Sequence, residues 1–376
     1  MPNMDATTTT RPTGLYAQCL KFALRGLAWY LRLSPLRIGK AWLLRHMRSK
    51  LLPHASRFGE AVCLCEAPEV QMWCVGIGGH PTPNILTEWI YYTGSWQPAL
   101  SRWLASTLKP GDTFIDVGAN TGYFSLLAAA RVGATGTVVA VEACPTTFQA
   151  MRANLAHNWP TSKCVRALQL AASDSEGRTT LYQHRNEPLY NTTVAGAGAG
   201  GVAAASDVWS VLQKSAALDT AALSAVSALA AETSSWREVQ VPRMPLAGVL
   251  TGAETSPRVV KIDVEGGEWA VLRGLDKLLR RADLTVDVVV ELSPKWLKLQ
   301  ASSAKDLLKY MSERGFHAYV LPSDDYEIVR CHDAPSHESR ATPPRPRRLR
   351  DGDVTRIDAG DAQHDVIFSR TDAEWL

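Results

Sequence analysis

The sequence predicts an α/β fold, a largely parallel sheet with helices on both faces, and three observations predict it. From residue 113 onward, short runs rich in Val and Ile alternate with longer segments of helical periodicity. The runs are continuously apolar rather than alternating, as in strands buried on both faces of a sheet. The stretch FIDVGANTGYFSLLAA at 114–129 passes from a strand pattern through two glycines into a helix pattern, the strand-turn-helix unit of such sheets.

The elements follow in order. Residues 61–75 read as strands, and a helix-like stretch leads through Trp103 to Lys109, where Pro110-Gly111 makes a turn. TFIDV (113–117) is a strand and YFSLLAAARV (123–132) a helix; TVVAVEA (137–143) is a strand and Pro145 to His157 a helix. VRALQLAA (165–172) reads as one strand and RTTLYQH (178–184) as an extra one. VVKIDV (259–264) is a strand followed by a helix to about Arg281, and VDVVVEL (286–292) is a strand followed by a helix over about 303–314. FHAYVL (316–321) and HDVIFS (364–369) close the series.

Two segments break the rhythm. Residues 195–235 are rich in Ala, Gly and Ser and read as a flexible insertion, with one helix around 207–231. Residues 333–363, which include TPPRPRRLRDGD, read as an exposed, flexible loop. The expected organisation is a basic, partly disordered extension over 1–60 with amphipathic helices, then one domain over 61–376 carrying the two insertions.

Composition narrows the function. A net charge of +3 over 376 residues is too small to argue for a nucleic-acid partner. The seven cysteines show no CxxC spacing and read as reduced thiols of a cytoplasmic protein. No run of 18 uninterrupted apolar residues exists. Between Ala6 and Gly59 there is no acidic residue, and Leu20, Leu24, Leu27 and Leu31 share one face of a basic helix. Three readings of it stay open: a helix packed on the main domain, a membrane-surface or partner-binding helix, and an organellar transit segment.

The chemistry begins at the glycine loop. A strand ending in Asp116 turns through Gly118, Ala119, Asn120, Thr121 and Gly122 into a helix, which places backbone N–H groups at the turn. Ligands of such sheets bind outside the C-terminal ends of the strands. A dinucleotide site prefers G-x-G-x-x-G and a P-loop needs G-x-x-x-x-G-K-[ST], and neither is present. Asp116 sets a negative charge beside the loop, poor for phosphate and good for an ammonium. Glu142 ends the second strand, where an acid can bind both ribose hydroxyls. An amino-acid end, a ribose and no phosphate describe S-adenosylmethionine. The competing readings are an NAD-dependent oxidoreductase, disfavoured by the missing third glycine, and a non-catalytic protein of the same fold.

GDTFIDVGANTGYFSLLAA, VVAVEACP and VVKIDVEGGEWAVLRGL together resemble the FkbM-type S-adenosylmethionine-dependent methyltransferases over about 95–320, and TGSWQP at 93–98 resembles the family's lead-in. The resemblance implies the class I, Rossmann-like methyltransferase fold, a seven-stranded sheet of order 3-2-1-4-5-7-6 with one reversed strand. It also implies methyl transfer, typically to an oxygen, and hence a small-molecule, sugar or lipid-linked acceptor. The chain departs from the family pattern at Ala143, where proline is usual, at Ala247, where an acid is frequent, and in the 195–235 insertion.

The KIDVEGGE stretch holds Lys261, Asp263, Glu265 and Glu268 at the end of one strand and the start of the next helix. Asp263 and Glu265 are the candidate general bases; Lys261 is a candidate for orienting the acceptor, for tuning a neighbour or for acting as base itself. Glu291 is a further pocket candidate. Asp263, Glu265, Glu268 and Glu291 have the chemistry for Mg²⁺, but the spacing defines no ligand set and no metal is expected. Ala172 should meet the adenine through its backbone. Asp174 either bonds the adenine amine or starts the turn before Gly177. His184 and Asn191 follow the extra strand.

Overall fold

The computed structural model describes residues 22, 26, 30, 60–75, 85–184, 191–194, 236–299, 302–321, 344–359 and 363–376. The basic helix expected near the N-terminus and the 195–235 insertion lie outside these, apart from three positions of the former.

The main sheet contains β3 (Thr113–Val117), β4 (Thr137–Val141), β5 (Val165–Leu168), β9 (Val259–Ile262), β10 (Asp287–Leu292), β11 (His317–Val320), β12 (Arg347–Arg348) and β13 (His364–Ser369). Their order is β12-β11-β13-β10-β9-β3-β4-β5, and β13 runs antiparallel to both neighbours. Without β12 this is the expected 3-2-1-4-5-7-6 arrangement. The eighth strand is a correction: Arg347 and Arg348 pair with Val320 and Tyr319 at the sheet edge. Strands β3, β9 and β10 are buried throughout, which explains their continuous apolar runs.

Helices cover the sheet. α1 (Ile85–Thr93), α2 (Pro98–Thr107) and α3 (Tyr123–Val132) pack around β3, while α4 (Pro145–His157) follows β4. α5 (Glu268–Gly274), α6 (Asp276–Leu279), α7 (Pro294–Leu299) and α8 (Ala304–Ser312) follow β9 and β10. The helix expected to run to Arg281 is broken at Leu275, where α5 ends and α6 begins.

The single strand expected at 165–172 is divided. After β5 the chain turns, and β6 (Ala171–Ala172) joins a second sheet of order β6-β8-β7, with β7 (Gly177–His184) and β8 (Trp236–Met244) antiparallel. β8 carries only scattered apolar residues, so its periodicity is weak in the sequence; pairing with β7 along its whole length makes it a strand. β1 (Glu60–Cys63) and β2 (Gln71–Val75) form an antiparallel hairpin.

The loop expected over 333–363 is also corrected. Its second half holds β12 and α9 (Asp351–Ala359), held by the Arg347–Asp353 ion pair at 2.7 Å and by a bond from Arg350 N–H to the Asp353 carboxylate at 2.9 Å. Local charge pairing orders a stretch that composition assigns to solvent. Among the described residues, no helix is long and apolar enough to cross a membrane.

Candidate active site

The loop after β3 is held from behind. Gly118 and Ala119 donate their N–H groups to Val141 O, both at 2.9 Å, and Asn120 N–H donates to the Glu142 carboxylate at 2.9 Å. Gly118 (φ +82°) and Gly122 (φ +89°) occupy the left-handed region that favours glycine. A side chain on Gly118 would fall 1.7 Å from the Asp263 carbonyl oxygen, and one on Gly122 would fall 3.0 Å from the Met151 side chain of α4. The sequence suggests that the first glycine admits a close approach. The body that approaches is the backbone of the KIDVEGGE segment, and Asp263 N–H donates to Val117 O at 3.0 Å.

Glu142 is buried and accepts from the N–H of Asn120 and, at 2.8 Å, from that of Cys144. Burial pushes its carboxyl up to about 7 even though both N–H groups favour the charged form. Two bonds leave acceptor capacity on a carboxylate, so ribose hydroxyls are within its chemistry.

Asp116 and Lys261 are register partners on β3 and β9, both fully buried. One Asp116 oxygen accepts from the Ser125 hydroxyl at 2.6 Å, and the other, Oδ1, is buried with no partner among the described residues. Burial raises the Asp116 carboxyl, against the pull of Lys261 and Ser125. The Thr121 hydroxyl is likewise buried without a partner. Unmet acceptors beside a glycine loop are what a donor bearing an ammonium group would satisfy, so the residues present fit S-adenosylmethionine. Ala172 lies at the seam of the two sheets, paired with Met244. Asp174 is taken by Arg273, at 2.6 Å on the surface, which favours the turn over the adenine contact.

The second motif closes over the first. Lys261 Nζ donates to Asp263 at 2.8 Å and sits 4.7 Å from the centre of the Phe124 ring. Burial alone would lower the Lys261 ammonium, but Asp263 and Asp116 raise it above the ordinary lysine range. The two carboxylates favour its charged form, which suits orienting the acceptor or tuning a neighbour better than acting as base.

Glu265 holds a left-handed backbone, φ +50°, rare for a non-glycine residue. Its carbonyl accepts from the Thr192 hydroxyl at 2.5 Å, and its Oε2 accepts from Trp296 Nε1–H at 3.1 Å and Gln363 Nε2–H at 3.2 Å. Burial, then Asp263 and Glu268, raise its carboxyl well above the usual range. Glu291 is raised likewise, by burial and by Asp263 and Glu265. Oxygens of Asp263, Glu265 and Glu291 all lie within 4.8 Å of one another.

Glu268 serves the loop itself. Its Oε1 accepts from the N–H groups of Val264 and Gly266, at 3.2 and 3.0 Å, and burial pushes it up to about 7. His184 lies edge-on to Trp236 at 4.9 Å, and its backbone N–H donates to Asn191 Oδ1 at 3.0 Å. Trp296 and Gln363 carry no sequence signal for the site: their partner, Glu265, is distant in the chain and only the closing of the sheet brings them together.

A family model described as the methyltransferase FkbM domain matches residues 116–318, more than half of the chain. Among solved structures, the chain is similar to a methyltransferase FkbM from Methylobacillus flagellatus KT, at 10% identity, 75% of this chain, 52% of that chain and a TM-score of 0.35. It is also similar to an S-adenosylmethionine-dependent O-methyltransferase from Thermotoga maritima, at 14%, 73%, 66% and 0.31. A third is the Aeropyrum pernix fibrillarin with natively bound S-adenosyl-L-methionine, at 10%, 73%, 76% and 0.33. The chain spans about half the length of the first of these. No curated protein matches it. The chain belongs to the FkbM methyltransferase family, whose members take their methyl group from S-adenosylmethionine.

Proposed function

We propose that the chain methylates a hydroxyl group on a small-molecule, sugar or lipid-linked acceptor. One observation carries the reading: the glycine loop and the KIDVEGGE segment interlock at Gly118 and Asp263, which sets a cluster of carboxylates directly beside the loop. S-adenosylmethionine, when bound, supplies a methyl group already activated on a sulfonium.

The protein then has three tasks: to hold the donor, to align the acceptor and to take the hydroxyl proton as attack proceeds. Asp116, the Gly118–Gly122 loop and Glu142 hold the donor, with Ala172 near the adenine. Lys261 fixes Asp263 through their 2.8 Å bond, so Asp263 lines the acceptor pocket as a rigid carboxylate. Glu265 is the assigned base. Both of its side-chain bonds fall on Oε2, which leaves Oε1 for the incoming proton, and its raised carboxyl makes it a stronger base than an exposed glutamate.

Transfer of a tritiated methyl group from labelled S-adenosylmethionine into a cell extract, with products fractionated as protein, lipid or small molecule, tests the reading. Label in a small-molecule or lipid fraction, retained as an alkali-stable ether, is expected. Label confined to protein, or none, would sink it.

A further inference from the structure

Gln97 ends the turn that precedes α2. Its backbone holds φ +42° and ψ +69°, a left-handed conformation that a non-glycine residue adopts at a cost of about 1–3 kcal/mol. The residue is 8% exposed, and its side-chain oxygen Oε1 is buried with no hydrogen-bond partner among the described residues. A strained backbone that buries an unmet amide is costly twice over, and no partner among the described residues offsets the cost of the amide.

The position of the turn gives the reason. Ser101, one turn into α2, bonds backward to Trp96 O at 2.5 Å and meets the Tyr123 hydroxyl at 3.1 Å. Ser95 also meets that hydroxyl, at 3.4 Å, and Glu66 accepts from it at 3.2 Å. Tyr123 is the first residue of α3, directly after Gly122. The start of α2 is therefore clamped to the start of α3, at the end of the sheet where the glycine loop lies. Gln97 Oε1 shares with Asp116 Oδ1 and Thr121 Oγ1, both of the strand-loop unit, the state of a buried oxygen without a partner among the described residues.

We infer that Gln97 is a binding residue for the amino-acid end of S-adenosylmethionine, its side-chain carbonyl accepting a proton from the donor's ammonium group. This rests on the reading that the glycine loop holds that cofactor. An ammonium carries three protons, and a carboxylate, a hydroxyl and an amide oxygen together can accept all three. The inference adds a residue from outside the strand-loop-helix unit to the donor site, and it explains why the backbone at Gln97 tolerates strain.

The test compares two neutral thioethers that differ in the amino-acid end alone: S-adenosylhomocysteine, which has it, and 5′-methylthioadenosine, which lacks it. Calorimetry on the full chain gives both affinities for the wild type, Gln97→Met and Gln97→Glu. Gln97→Met keeps the length and removes the acceptor; it should weaken S-adenosylhomocysteine about ten- to a hundredfold and leave 5′-methylthioadenosine within about twofold. Gln97→Glu keeps an acceptor oxygen and should hold S-adenosylhomocysteine near the wild-type affinity. Equal loss on both ligands, or no loss on S-adenosylhomocysteine, overturns the assignment in favour of a packing role. A wild type that binds neither ligand overturns the cofactor reading itself, and the role of Gln97 falls with it.

Discussion

The missing side chain of Gly118 points at the Asp263 carbonyl oxygen, which would lie 1.7 Å from a Cβ placed there. The two motifs of this methyltransferase fold are thus a single packed object. The glycine that looks made for a ligand is made for the neighbouring strand, and the ligand is left with the rest of the loop. Gly118→Ala should destabilise the chain by about 3 kcal/mol or more, from a backbone clash and from a positive φ. Urea unfolding measures it. A midpoint equal to the wild type would contradict the interlock.

Glu142 has two duties, since its carboxylate holds the N–H groups of Asn120 and Cys144 and retains capacity for a ribose. Glu142→Ala leaves two N–H donors unmet, at about 1–3 kcal/mol each, besides removing the ligand contact. S-adenosylmethionine binding should weaken about a hundredfold or more by calorimetry. An unchanged dissociation constant would place the ribose elsewhere.

Stability should depend on pH in an unusual direction. Glu142 and Glu268 are each held up to about 7 by burial, against an ordinary glutamate value of 4.5. Both bind a proton more tightly in the folded chain than in the unfolded one. Between about pH 4.5 and 7 the folded state therefore carries the extra protons, and stability falls as pH rises through that window. Thermal unfolding of the ligand-free chain should show a midpoint that declines from pH 5 to 8, and Glu268→Gln should flatten the decline. A midpoint that climbs over that range would reverse the assignment.

Glu265 is expected to act on the rate and not on the donor. Glu265→Gln keeps the size and the bonds from Trp296 and Gln363 in reach, and it should lower kcat about 10²–10⁴-fold with S-adenosylmethionine affinity unchanged. In the wild type, only the deprotonated carboxylate can accept a proton. The rate should therefore rise with pH through the raised Glu265 value. A variant that keeps its rate, or a rate flat in pH, would move the role of base to Asp263.

Asp174 offers a contrast. Its pair with Arg273 is partly exposed, at 32% and 45% of the two side chains, and such pairs contribute under about 1 kcal/mol. Asp174→Ala should leave S-adenosylmethionine affinity within about twofold. A tenfold loss would restore the adenine contact.

The sequence by itself determined a largely parallel sheet and the two motifs at the C-terminal ends of its strands, while the order of the strands is what the family resemblance implied. The central strands β3, β9 and β10 are buried throughout, and burial writes itself as unbroken Val and Ile. Asp116, Gly118 and Gly122 are equally legible, since a turn between strand and helix demands certain residue types at certain spacings. The tertiary structure decided the rest. β8 has only weak periodicity of its own and becomes a strand through β7. Arg347, Arg348 and the helix from Asp351 are ordered by ion pairs that composition reads as a solvated loop. The carboxylates gathered around Lys261 favour its charged form, a balance that spacing alone does not show. Trp296, on the helix after β10, reaches Glu265, and Ser95 and Ser101 tie the turn before α2 to the start of α3 through Tyr123. Such contacts depend on where remote segments meet, and local spacing carries no record of that.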